Sequence, residues 1–89
     1  MKAVITVIGK DTVGILAKVS NICAQCDVNI TEVTQSVLQD LFAMIMLVDI
    51  NNSDISFSAL SEKLTQLGEQ MNLKIHIMHE DIFNSMHKI

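Results

Sequence analysis

The stretch Gly9-Lys10-Asp11-Thr12-Val13-Gly14 joins two different hydrophobic periods in this 89-residue chain. Before it, Val4, Ile5, Val7 and Ile8 fill both faces of a strand over residues 2–9. After it, Ile15, Leu16, Val19, Ile22, Cys23 and Cys26 fall on the stripe of an amphipathic helix. A strand that feeds a glycine-bracketed turn into a helix points unpaired backbone N–H groups out of the helix start. Together with the positive end of the helix dipole, those groups favour an anionic ligand such as a carboxylate. Asp11 is placed to cap the helix through the N–H of Val13 or Gly14, and Gly14 lets a small molecule approach the backbone. The turn reads as a small-ligand site rather than a catalytic one.

Working outward, the first helix stops near Asp27, which must take a turn or left-handed conformation. Residues 28–38 read as a second strand whose alternation breaks: Val28 and Ile30 fall on one face, Val33 and Val37 on the other. That phase change predicts a bulge near Thr31-Glu32. Gln39-Asp40 is a hairpin turn into a third strand over residues 41–50, apolar on both faces and therefore expected to be central and covered on both sides. Ser53 or Ser56 can cap a second helix, marked by Phe57, Leu60, Leu64, Leu67 and Met71 and ended by Asn72. Residues 73–78 are a last strand, and Ile82, Phe83, Met86 and Ile89 carry one more helical stripe.

The predicted order, β-α-β-β-α-β plus a short terminal helix, fits an α+β ferredoxin-like sandwich of helices on one face of a four-stranded antiparallel sheet. The chain is read as one domain over residues 1–89, with a core at 1–80 and a helical tail at 81–89. The second sheet face is expected to be apolar as well, through Val4, Ile8 and one side of Phe42, Met44, Met46 and Val48. The tail helix or a second subunit is the natural cover.

Composition narrows the function. Six lysines, no arginine, three phenylalanines and a net charge of −4 supply neither a basic footprint nor stacking aromatics, which excludes nucleic acid. The chain is 49% hydrophobic, rich for this length, so part of its apolar surface is expected to meet a partner chain. No run approaches a membrane span, and residues 1–7 alternate like a strand without a signal-peptide cleavage site. No membrane association and a cytoplasmic location are therefore expected.

Cys23-x-x-Cys26 lies at a helix C-terminus, where the dipole raises a thiol pKa, and on the apolar stripe. It is read as core rather than as a redox or metal pair. His76 and His79 are three apart on a strand and point to opposite faces, and His87 is in the tail, so neither metal nor other cofactor is expected. The methionines read as packing for core and dimer. No Ser/His/Asp or Cys/His set can be placed from spacing, so no enzyme is expected.

Gly9-x-Asp11-x-x-Gly14-Ile15-Leu16-Ala17, followed by Val28-Asn29-Ile30 at the head of the second strand, resembles the ACT domain pattern. The small size and helical tail resemble free-standing bacterial ACT proteins, similar to the ACT regions of the glycine-cleavage-system regulator. The resemblance implies a regulatory or sensor module that binds an amino acid or other small metabolite as a homodimer and passes its signal through a partner protein. Carried over to matching positions, the implied ligand-binding residues are Asp11, Gly14 and Asn29. Gly14 N–H would hold a ligand carboxylate, Asn29 would offer its amide, and Asp11 would accept from an ammonium group. Val13 stands where the family often has proline or a short polar residue, and Asp27 where glycine is usual. The alternative is a ligand-free interaction module that uses the open sheet face and the edge of residues 28–38.

Overall fold

The computed structural model describes residues 1–51, 53 and 55–86. It runs β1 (Lys2–Lys10), α1 (Ile15–Gln25), β2 (Asn29–Leu38), β3 (Leu41–Asp49), α2 (Phe57–Met71), β4 (Leu73–His79) and α3 (Glu80–Met86). The expected βαββαβ order with a short terminal helix is present. Ile89 and His87 lie outside the described residues.

The four strands form one sheet in the order β2-β3-β1-β4, all neighbours antiparallel. Strand alternation sends Ala3, Ile5 and Val7 of β1, Phe42, Met44, Met46 and Val48 of β3, and Leu73 and Ile75 of β4 to one face. There they join Ile15, Val19 and Cys23 of α1 and Leu60, Leu64 and Leu67 of α2 in a single buried cluster. This corrects the expected outer face. The register sets Ile5 against Met46 and Val4 against Leu47, so the Phe42–Val48 row is spent wholly on the helix side. The outer row instead holds Thr6 and Ile8 of β1 and Ala43, Ile45 and Leu47 of β3 beside Val4.

β3 is central as expected but covered on one face only; on the other, Ile45 is 41% exposed. The bulge in β2 falls between Ile30 and Glu32. Its effect differs from the expectation that Val33 and Val37 turn away from Ile30. One extra residue restores the phase, so Ile30, Val33 and Val37 oppose Val48, Met46 and Phe42 and share the helix-facing side. The Thr31 hydroxyl at the bulge donates to the Leu47 carbonyl at 3.0 Å.

Both helix exits use left-handed residues in place of glycine, Asp27 at φ 56° and Asn72 at φ 58°. After α1 the Val28 N–H reaches the Cys23 carbonyl at 2.8 Å and the Asp27 N–H reaches Ala24, the double closure that lets the chain reverse into β2. Of the two proposed caps for α2, Ser56 accepts from the Ala59 N–H at 3.1 Å, while Ser53 accepts from Ile55 in the preceding loop. Gly68 lies where α2 presses on β4: a Cβ there would stand 2.7 Å from the Leu73 carbonyl oxygen. α3 touches β1 and β4 and neither α1 nor α2, so it lies across the outer face, where it buries Val4 completely.

Candidate functional site

β1 ends at Lys10, and the next four residues hang at the edge of the sandwich before α1 begins. The Asp11 N–H donates to the Asp40 carbonyl at 2.7 Å, which ties this loop to the β2–β3 hairpin. That bond fixes the loop's base and leaves its crown free: Asp11, Thr12 and Val13 are exposed, Val13 almost entirely. Gly14 sits at φ 88°, ψ 11°, a conformation that a side chain resists, and nothing lies within 4 Å of where its Cβ would be. The backbone is therefore approachable from solvent at this point.

α1 has no side-chain cap. Its first internal bond runs from the Lys18 N–H to the Gly14 carbonyl at 3.0 Å. The expected capping role of Asp11 is thus not taken; its carboxylate stays at the surface, beside a helix start whose donors keep their positive end uncovered. α2 shows the contrast, since Ser56 closes its start.

Asn29 is the first residue of β2, exposed, and pairs across to Asp49 of β3, which pairs in turn with Lys2 at the start of β1. Lys10, where the loop begins, is level with Leu41 and Leu38 at the other end of the sheet. At about 3.3 Å per residue, roughly 25 Å of strand separates Asn29 from the Asp11–Gly14 loop. Within one chain, Asp11 and Gly14 come together and Asn29 does not. Sequence spacing hides this, because residues 14 and 29 are joined by a helix that carries the chain from one end of the sheet to the other.

Cys23 and Cys26 are both buried and unoxidised in the helix-side cluster. Burial, and after it the neighbouring Cys26, pushes the Cys23 thiol up to about 11, which keeps it protonated and inert. His76 faces outward opposite Thr6, whereas His79 turns to the helix side and stacks on Phe57, with ring centres 4.8 Å apart and 10° between planes. The stack was not legible in the sequence; the only signal was a histidine and a phenylalanine at the ends of two elements that pack together.

A four-stranded sheet backed by two helices, with an open glycine loop at the head of the first, defines a ferredoxin-like sandwich. The chain belongs to the ACT domain family, whose model matches residues 2–78. It is 47% identical to a UPF0237 protein of Listeria innocua over 89 residues, the full length of both. Among solved structures it is similar to an ACT domain protein from Streptococcus pneumoniae, with a TM-score of 0.81 and 38% identity over 93% of each chain. It also resembles a chain described as a glycine cleavage system transcriptional repressor, with a TM-score of 0.71 and 28% identity, covering 86% of this chain and 44% of that one. Among the described residues no helix is long and apolar enough to cross a membrane.

Proposed function

We propose that this protein is a sensor of a small amino acid, that it works as a homodimer, and that it passes its signal to a partner protein. The observation that carries the reading is the uncapped start of α1, reached over an open Gly14 and flanked by the free carboxylate of Asp11. An amino acid matches that arrangement at both ends, its carboxylate on the Gly14–α1 donors and its ammonium on Asp11.

Asn29 joins the site through the second copy. β1 and β2 run parallel, each antiparallel to β3, so Asn29 and Gly14 sit at opposite ends of one sheet. β2 is an edge strand of ten residues without proline or lysine, exposed along nearly all its length. Two such edges paired antiparallel about a two-fold axis bring Asn29 of the second copy to the end that holds Asp11 and Gly14. The ligand then bridges copies, and its preference for one arrangement is what a partner protein reads.

The same edge supports a second reading, a ligand-free module that pairs β2 with a strand of another protein. Thermal unfolding of dialysed protein against the twenty amino acids, followed by far-ultraviolet circular dichroism, separates the two. A ligand at a hundred times its Kd adds about 2.7 kcal/mol, several degrees in a domain of this size. The sensor reading expects a shift with one or two amino acids, abolished by Asn29→Ala while self-association persists. No shift with any of them rejects amino-acid binding at this loop.

A further inference from the structure

The helix layer carries a groove of its own. α1 and α2 lie side by side over the core, and between them runs a recess of about 410 Å³, within the usual range for small-ligand sites. α1 lines it with Lys18, Asn21, Ile22 and Gln25, and α2 with Lys63, Gln66, Leu67 and Gln70. The two sets are one pattern written twice. A lysine is followed three residues on by an amide, then at once by an aliphatic residue, and seven residues from the lysine by a second amide. That spacing keeps each set on one face of its helix. β1 and β3 are antiparallel, and each helix returns the chain against the strand before it, so the two sets run in opposite directions. A lysine therefore stands towards each end of the groove and amides lie along its walls. Ile22 and Leu67, both packed on the core, make its floor.

We propose that this groove binds a small molecule that is anionic at both ends, a dicarboxylate or a bisphosphate. Charge is the first argument. The chain is acidic, with ten carboxylate side chains to six lysines, yet the groove holds two lysines and no carboxylate. α1 contains no acidic residue, and Glu62 and Glu69 of α2 line a separate recess on the flank of that helix, with Phe57 and Ser61. Three and four residues from Lys18 and from Lys63 stand only apolar residues, glycine and amides, so neither lysine is neutralised along its own helix. Among the described residues neither lysine makes an ion pair, and none of the four amide side chains makes a hydrogen bond.

The donor set selects the ligand. Lysine is a mobile point charge suited to carboxylate or phosphate oxygens, and each amide both donates and accepts. Seven residues of helix put about 10 Å between the levels of the two lysines, roughly the span of a six- or seven-carbon body with an anionic group at each end. The amides between them can bond hydroxyl or carbonyl groups on that body. A monoanion engages one lysine and leaves the other unused, and a cation is repelled at both ends. Neither Asp11 nor Gly14 lines this groove, so the site stands whether or not an amino acid binds at their loop.

Amide correlation spectra of the isotopically labelled full chain test this at low salt, where surface charge is least screened. The probes are millimolar pimelate and, separately, fructose bisphosphate, with hexanoate as a chain that has one anionic end. One or both dianions are expected to shift signals of the lining residues of α1 and α2 in a saturable way, and hexanoate to bind about tenfold more weakly or worse. Lys18→Gln and Lys63→Gln should each weaken the dianion about tenfold, the loss of one charge-assisted contact. Both lysines are exposed, so the variants are expected to fold, which far-ultraviolet ellipticity checks. Tighter binding of pimelate assigns carboxylate chemistry to the site, and tighter binding of the bisphosphate assigns phosphate chemistry. The proposal is overturned if neither dianion moves these signals, if hexanoate saturates as tightly, or if either lysine variant binds like wild type. Shifts confined to residues 11–14 belong to the loop and overturn it too.

Discussion

At the residue scale, two glycines and two cysteines carried most of the interpretable signal. The turn between Gly9 and Gly14 was readable because a strand period met a helix period there, and the left-handed Gly14 follows from that junction. The idle carboxylate of Asp11 was not readable: capping depends on where the side chain points once Asp40 has taken the Asp11 N–H, a contact 29 residues away in sequence. Cys23 has a testable titration. Its thiol pKa is raised in the folded chain, from the ordinary 9.0 to about 11, so the folded state holds that proton more tightly than the unfolded one. The resulting stability is fully present below pH 9 and is lost as pH climbs towards 11. Melting curves at pH 7 and pH 10.5 should show a larger loss for wild type than for Cys23→Ala, although the variant starts lower because it leaves a cavity. In native protein at pH 8, Cys23 should resist thiol-labelling reagents and react only after denaturant is added.

At the element scale, boundaries were legible wherever a residue had one reason to be there. Ser56, Asp27 and Asn72 each close a helix end in the expected way. The outcome differed where one residue type served two surfaces. Phe42, Met44, Met46 and Val48 looked available to both sheet faces, and only the pairing of Ile5 with Met46 assigns the whole row to the helices. β2 misled for a related reason, since the bulge that the broken alternation announced also cancels its apparent change of face. The two helices differ in how their starts are held, and this difference predicts unequal sensitivity. Ser56→Ala removes the side-chain bond to Ala59 and should lower stability by about 1 kcal/mol in urea unfolding. Asp11→Ala removes no helix cap and should leave the same curve nearly unchanged.

At the scale of the whole molecule, the fold was legible and the partnership of its surfaces only in outline. Periodicity located every described strand and helix, yet which end of the sheet a residue occupies follows from topology alone. That is why Asn29, grouped with the loop by the family resemblance, stands at the opposite end of the sheet. Apolar richness pointed to a second chain, and the slab, with two helices on one face and one short helix on the other, leaves β2 and part of β3 without cover. If association supplies that cover, mass action makes stability depend on chain concentration. The thermal midpoint should rise measurably between micromolar and hundred-micromolar protein; a midpoint unchanged over that range would count against self-association.

The separation of Asn29 from Gly14 has a consequence for dose. No solitary chain presents both residues to one small molecule, because its own sheet stands between them. A metabolite that needs the pair therefore finds no complete receptor on a lone chain, whatever its own abundance. On the proposed reading, occupancy would rise with two quantities together, the supply of metabolite and the crowd of identical chains. Scarce protein would be deaf to a signal that plentiful protein hears, so expression level would tune the threshold without any change in the residues that make the site.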